Sequence, residues 1–168
     1  MQDLWGTLKD RFYKYLEFFN MRTDFETLKT LASYTIDNLK AKGMIEFDIA
    51  NREALIDSMA TEYGVSFATD EDIREQAVEE VQEKMGDDYL PEDITETEMF
   101  NHARKEIIKS FSGENISGLY LVESLNQISK RMNDFVLSSD FIDDVFGSDE
   151  ELQAFLIRKI RQFSSKKN

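Results

Sequence analysis

The chain is 168 residues long, with 34 acidic and 20 basic residues, a net charge of −14, no Cys and one Pro. This length suits one domain, or two small halves that share a core. The lack of Cys excludes disulfides and thiolate chemistry, and the scarcity of Pro and Gly favours long helices. No apolar run approaches the ~18 residues of a membrane span, and the N-terminus does not resemble a signal peptide. We expect a soluble, cytoplasmic protein.

The first predicted helix lies within residues 1–22 and is rich in aromatic residues. Its main apolar stripe consists of Leu4, Leu8, Phe12, Leu16 and Phe19. Burying one aromatic side chain contributes roughly 1.5 to 3 kcal/mol, so we expect a partner chain or a second copy to cover the aromatic residues beyond that stripe. Packing into the core is one alternative. Binding to a membrane surface is another, which Asp3, Asp10 and Glu17 disfavour. The predicted interface residues are Trp5, Phe12, Tyr15 and Phe18.

A second helix is predicted at residues 24–42, with Gly43 at its end. The phrase Lys42-Gly43-Met44-Ile45-Glu46-Phe47 is similar to the end of a recognition helix and the first wing strand in winged-helix DNA-binding proteins. The simpler interpretation is a helix end followed by an extended connector. Residues 125–135 repeat the spacing of Ile36, Leu39, Lys42, Met44 and Phe47 with one residue deleted. This match favours the simpler interpretation, because it indicates that the segment belongs to a repeat.

The middle of the chain is strongly acidic. Residues 43–100 contain 18 Asp or Glu residues and three Lys or Arg residues, a net charge of −15, whereas residues 152–168 contain five Lys or Arg residues and no acid. Such an acidic block repels nucleic acid and anionic lipid and attracts a basic partner. The alternative is a solvated helix surface that maintains solubility. We expect no nucleic-acid binding, and a basic partner is the candidate ligand of the 43–100 block.

A 16-residue pattern occurs twice without a gap, at residues 67–82 and 146–161, an offset of 79 residues. Each copy begins with an N-cap residue, Thr69 or Ser148, and has an acid three positions later. The matched apolar positions have the spacing of one helix stripe. They are Ile73, Ala77, Val78 and Val81 in the first copy, and Leu152, Leu156, Ile157 and Ile160 in the second.

These patterns predict an all-α protein with about seven to eight helices. After the N-terminal helix at 1–22, two related helical units are expected at residues 23–113 and 114–168, in one compact globular body. Beyond the helix at 24–42, the predicted helices span residues 50–63, 70–85, 96–111, 116–132, 139–146 and 149–164. Glycines mark several of the predicted helix ends; they are Gly64, Gly86, Gly113 and Gly147.

The single His raises the question of a metal site. Glu98, His102 and Glu106 are spaced four residues apart on one face of a predicted helix and could offer three ligands to zinc. However, Glu98 already has a structural role in the capping box that begins at Thr95. No Gly-rich phosphate loop or nucleophile elbow occurs either. We therefore predict no metal, no cofactor and no catalytic residue.

The apolar spacing also resembles that of a bacterial family catalogued as domain of unknown function number 507. The residues that carry the resemblance are Leu31, Ile36, Leu39, the Lys42 to Phe47 phrase, Leu55-Ile56, Glu71, Ile73-Arg74, Val78, Val81, Met99-Phe100, Lys105 and Ile108. The resemblance covers roughly residues 25–165 and leaves out the aromatic N-terminus. It implies an internally duplicated helical fold and no activity, because that family has no assigned chemistry.

We predict a non-enzymatic, acidic helical protein that acts in protein–protein interaction or assembly. Its N-terminal helix would bind a protein partner or a second copy of the chain. The alternative is a nucleic-acid-directed regulator, either a winged-helix-like binder or an acidic mimic of nucleic acid. A metal-dependent enzyme centred on His102 is the second alternative.

Overall fold

The structure is a computed structural model that describes residues 25–86, 95–111 and 115–166. The predicted helix at 1–22 lies outside the described residues, and so do the predicted interface residues Trp5, Phe12, Tyr15 and Phe18. Both copies of the repeated pattern lie within the described part, as does the acidic block apart from residues 87–94.

The described part is predominantly helical, which confirms the all-α prediction in its broad form. Its helices are α1 (25–41), α2 (Arg52–Ser66), α3 (Asp70–Gly86), α4 (Glu96–Lys109), α5 (Leu125–Ser138) and α6 (Asp149–Lys166), with a 3-10 turn at Ile49–Asn51. Its strands are β1 (Ile45–Glu46), β2 (Phe67–Ala68), β3 (Asn115–Ile116), β4 (Leu119–Leu121) and β5 (Asp144–Val145). The described residues thus contain six helices rather than seven or eight, and two small sheets that were not predicted. None of these helices is both long and apolar enough for a membrane span.

Helix α1 ends in the turn predicted at Gly43. The Gly43 N–H donates to the Lys40 carbonyl at 3.0 Å, and the Met44 N–H donates to the Leu39 carbonyl at 2.9 Å. These two bonds form a Schellman motif, in which Gly43 has a φ of +78° that residues with a Cβ rarely adopt. The turn leads directly into β1, where Ile45 is buried in the core.

Strand β1 pairs antiparallel with β5, with Ile45 opposite Val145. Its partner therefore comes from the far end of the chain, rather than from the adjacent hairpin that a wing requires. The predicted helix at 139–146 is wrong, because this segment contains β5. Pairing with β1 satisfies backbone groups that the helix would have satisfied internally. For example, the Phe146 N–H donates to the Met44 carbonyl at 2.7 Å.

The predicted helix at 116–132 is wrong in its first part, where β3 and β4 form a hairpin. Ser117 and Gly118 have φ values of 52° and 88°, as a type I′ turn requires. The Asn115 side chain supports the turn by accepting a hydrogen bond from the Gly118 N–H at 2.9 Å. Two positive φ angles in succession are incompatible with an α-helix, so α5 begins only after the hairpin.

Helix α5 begins at a capping box in which Ser124 and Gln127 bond to each other's backbone N–H. Residues 125–135 therefore lie within one helix, whereas the stretch matched to them, 36–47, is helical only to residue 41 and then forms a turn and β1. This part of the predicted repeat agrees in its helical first half and is wrong from Lys42 on. The shared apolar spacing is compatible with either conformation over so short a stretch.

The sheet β2–β4–β3 separates two hydrophobic cores. Phe67 of β2 and Leu121 of β4 belong to the larger core, with α1, α2, α5 and α6. Ala68 of β2 and Tyr120 of β4 contact the smaller core, with α3 and α4. Alternate residues of a strand point to opposite faces, so two paired strands form a wall between the cores. The larger core draws on both predicted units, 23–113 and 114–168.

Helices α3 and α6 carry the two copies of the repeated pattern. The N-cap hydroxyls of Thr69 and Ser148 accept from the N–H groups of Asp72 and Glu151, each at 3.2 Å. The matched apolar stripes face inward in both helices, with only Ile157 partly exposed. Helix α3 packs against the following helix α4, whereas α6 packs against the preceding helix α5. Two capped, amphipathic helices are therefore confirmed, and the repetition of whole units stays a prediction.

Candidate functional site

The candidate metal ligands of α4 all point to solvent. Glu98, His102 and Glu106 are exposed. The Glu98 N–H donates to the Thr95 hydroxyl at 3.2 Å, as the capping box predicts, and the Glu106 carboxylate lies 3.4 Å from the Lys109 ammonium. Within the part of the chain that the structure describes, no group of three or more His, Asp or Glu residues is placed to hold a metal ion.

The acidic block forms a continuous surface on α3. Helical spacing brings four carboxylates into one stripe, opposite the buried stripe that contacts α4. We call this stripe the acidic face of α3; it consists of Asp72, Glu75, Glu79 and Glu83. Three of these side chains are exposed and Glu75 is half-buried. The sequence predicted an acidic block. The helical spacing of α3 places four of its carboxylates on one side, which gives a negatively charged surface.

Like charges are crowded on the acidic face of α3. Burial raises the pKa of the Glu75 carboxyl above its usual value, and the neighbouring carboxylates of Asp72 and Glu79 raise it further. Residues three and four positions apart on a helix are neighbours, and like-charge pairs at this spacing destabilise the helix. The face therefore carries repulsion that a bound cation would relieve.

The acidic face is held on a defined support. Helices α3 and α4 enclose the smaller core, which includes Ile73, Ala77 and Ile107 at 0 to 4 % exposure. An ion pair between Asp70 at the start of α3 and Arg104 in the middle of α4, at 3.1 Å, joins the two helices. Because the apolar stripe of α3 is fixed against α4, the opposite stripe must face solvent. The helix pair thus presents its carboxylates as an exposed ridge.

A groove lies between α1, α2 and the C-terminal end of α6. Its floor contains Tyr34, Ile56 and Phe163. Ion pairs form its rim, with Lys29 3.2 Å from Asp57 and Arg52 3.0 Å from Asp37. Because each of these cations already has a carboxylate partner, the groove has little positive charge to offer an anionic ligand.

An ionic cluster joins α2 to the start of α5. The Arg131 guanidinium donates to both carboxylate oxygens of Glu123, at 2.8 and 3.2 Å, and the Ser66 hydroxyl donates to the same carboxylate at 2.7 Å. Glu62 of α2 adds a longer contact to Arg131 at 3.8 Å. The bonds from Arg131 hold the pKa of the Glu123 carboxyl below its usual value, against the opposing effect of burial. Ser66 bonds to a carboxylate that is itself engaged, so the arrangement is structural.

We expect the Glu123→Gln variant to be less stable than the wild type by roughly 1 kcal/mol at neutral pH, the value of a partly exposed ion pair. The folded-state pKa of Glu123 is lowered, so its charge stabilises the fold above its unfolded pKa of about 4.3. This contribution is lost as the pH falls through the folded-state pKa. Urea unfolding at several pH values should give a wild-type–variant difference that shrinks below about pH 4. The exposed Glu46→Gln is the matched control, and an equal pH dependence in both variants would contradict the assignment.

The predicted interface residues at 1–22 lie outside the described part, so the described surfaces alone define the candidate site. The acidic face of α3 combines exposure, one sign of charge and a rigid support. The likeness to domain of unknown function number 507 stays a prediction. No protein-family model, no curated protein and no solved structure matches the chain.

Proposed function

We propose that this chain is a non-enzymatic interaction or assembly component that binds a basic protein partner through the acidic face of α3. The observation that carries the proposal is the stripe of four carboxylates with crowded charges on the solvent side of the helix. Charge repulsion within the free protein is relieved when a cationic surface binds, so part of the binding free energy comes from the crowding itself.

The support of the face favours a protein partner of regular shape. Helix α3 spans Asp70–Gly86 and packs on α4, so its carboxylates are held in a straight row. From Asp72 to Glu83 the row is about 17 Å long, which matches the cationic stripe of a helix or an extended basic segment. Pre-organised charges of one sign also steer a basic partner toward the site and speed its association.

The binding test compares two variants with equal changes in net charge. The first removes three charges from the acidic face of α3, as Asp72→Asn, Glu79→Gln and Glu83→Gln. The second removes three exposed charges near β5, as Asp140→Asn, Asp143→Asn and Asp144→Asn. The probe is a short oligolysine peptide, with binding measured by calorimetry. We expect the first variant to bind at least tenfold more weakly than the wild type, and the second to bind within about twofold of it.

Equal weakening in both variants would contradict the proposal, because it would mean that net charge alone attracts the peptide. Wild-type binding that survives about 1 M salt would also contradict it, since exposed charges are screened over about 3 Å at that ionic strength. Circular dichroism of each variant separates lost binding from lost structure.

The finer architecture belongs to the same proposal. An aromatic helix at 1–22 would supply the apolar part of the interface through Trp5, Phe12, Tyr15 and Phe18. We also propose that the chain contains two related units, that it resembles the family named above, and that it is cytoplasmic. The shared capping and burial of α3 and α6 support the relatedness of the units, and their different packing neighbours weigh against it.

A further inference from the structure

Helix α6 has an exposed outer face that is opposite in charge to α3. Helical spacing aligns most of its members on the side of α6 that faces away from the larger core, with the half-buried Ile157 at the edge, where it also packs against that core. We call this stripe the outer face of α6; it consists of Ala154, Ile157, Arg158, Arg161 and Gln162, which line a shallow depression. Its apolar residues form the floor and its arginines flank it. The acids of α6, Asp149 to Glu151, are confined to the first turn.

Arg158 of this stripe and the neighbouring Lys159 both lie beside an aromatic ring of the core. The Arg158 guanidinium lies 5.3 Å from the centroid of the Phe155 ring, and the Lys159 ammonium lies 5.4 Å from the same centroid. Phe155 is buried at 5 % exposure, so the ring is fixed by the core. Cation–π contacts of this kind hold the charged end of each side chain beside the ring. The N–H groups of each cation can still donate hydrogen bonds to an acceptor.

The same chain carries a surface that complements this one. The acidic face of α3 and the outer face of α6 are both exposed, so neither helix covers the other within one copy. The main helical neighbour of α3 is α4 and that of α6 is α5. A second copy can therefore bring together faces that are opposite in charge, on two helices of similar length, 17 and 18 residues.

We propose that the outer face of α6 of one copy binds the acidic face of α3 of a second copy, in a head-to-tail arrangement. The inference rests on the proposed function, because it uses the same acidic face and names its basic partner. Such a contact joins two different patches, so each copy keeps one free face and the pair keeps one free face of each kind. The assembly grows into short chains, or closes into a ring if the rotation between copies permits.

The net charge of −14 opposes association of two copies, but the opposing effect acts at long range. At about 0.15 M salt, charges further apart than about 8 Å are largely screened. Only the contacting carboxylates and guanidinium groups then interact strongly. Association is therefore expected at moderate salt and is lost at about 1 M salt, where even adjacent exposed charges are screened.

The experiment measures self-association of the full chain by sedimentation velocity over a range of protein concentrations. One variant neutralises α6, with Arg158→Gln and Arg161→Gln, and its matched control neutralises two exposed lysines elsewhere, with Lys105→Gln and Lys130→Gln. Another variant neutralises α3, with Glu79→Gln and Glu83→Gln. We expect the α6 and α3 variants each to associate roughly tenfold more weakly than the wild type, and the lysine control to behave as the wild type.

Mixing the two weakened variants gives the sharpest result. The α6 variant keeps its acidic face and the α3 variant keeps its basic face, so one good contact remains between them. The mixture should form one-to-one pairs and no longer chains, at the wild-type affinity for a single contact. Failure of the mixture to pair would overturn the inference, and so would a wild type that sediments as a monomer at about 0.15 M salt.

The outcomes separate this inference from the proposed function. If the wild type stays monomeric but oligolysine still binds to α3, the inference fails and the proposed function stands. If association persists in both charge variants and is lost in an N-terminal aromatic variant, the interface lies at 1–22 and the inference again fails. If oligolysine does not bind to α3 at all, the proposed function fails, and the inference that rests on it fails too.

Discussion

The Leu156→Ala variant is expected to lose about 2 to 5 kcal/mol of unfolding free energy, the cost of a large cavity in a packed core. Leu156 is fully buried at 0 % exposure and belongs to the stripe that the repeated pattern predicts. It lies in the larger core, where α6 packs against α5. Few neighbours can move to fill the space, because several helices meet there. Urea unfolding monitored by circular dichroism measures the loss.

The matched control is Leu137→Ala on α5, the same chemical change at a side chain that is 55 % exposed. We expect this control to cost less than about 1 kcal/mol, because most of the side chain is already in water. Similar losses in both variants would mean that the burial assigned to α6 is wrong. It would also remove the support that this helix gives to the outer face.

The double variant Tyr15→Ser, Phe18→Ser is expected to weaken binding of a protein partner or of a second copy strongly. Truncation of aromatic anchors at interfaces commonly costs at least about 2 kcal/mol each, or more than tenfold in affinity. Because these residues would lie at an interface rather than in the core, the helical circular-dichroism signal and the thermal unfolding of residues 24–164 should stay nearly unchanged. Sedimentation and unfolding of the same sample give both readouts.

A different result would reassign the N-terminal helix. If the double variant unfolds the body and the wild type sediments as a monomer, the aromatic residues belong to the core. Single substitution of Tyr13 by Ser is a useful control, because this residue is aromatic and lies beside the same stripe without being among the predicted interface residues. Equal effects of the single and double variants would argue against a localised interface.

Helices with strong local signals could be predicted from the sequence. The N-cap residues Thr69, Thr95 and Ser148 carry capping hydrogen bonds, and Gly43 ends α1 in a Schellman motif. Each signal acts within a few residues, so its physical cause is visible in a short stretch of sequence. Gly64 is a contrary case, because α2 continues through it to Ser66. A glycine costs a helix only about 1 kcal/mol, which tertiary packing outweighs.

The small sheets could not be predicted with the same means. Pairing of β1 with β5 depends on contacts between distant parts of the chain, and two-residue strands leave no periodicity to detect. The β3–β4 hairpin had a readable signal in Gly118, the second residue of the two-residue turn, and in Asn115, whose side chain accepts from the Gly118 N–H. The Ser124-x-x-Gln127 capping box was a second missed signal, and it marks the true start of α5.

The candidate site was only partly accessible from the sequence. Its composition predicted an acidic block at 43–100, but composition does not say which carboxylates share a face. The phase of α3 relative to its buried stripe determines that. The helix dipole favours basic residues near the C-terminus of α6, so their place there does not by itself indicate a binding face. Their alignment with Ala154 and Ile157 on one exposed face became evident only from the packing of the helix.

The most direct test of the central claim is a map of where a basic ligand binds. Backbone amide shifts of the isotope-labelled chain are recorded while the oligolysine peptide is added at about 0.15 M salt. We expect the largest shifts in α3, from Asp72 to Glu83, and we expect them to vanish in the variant with three neutralised charges on this face. Largest shifts in the groove between α1, α2 and α6, or small shifts spread evenly over all exposed acids, would contradict it.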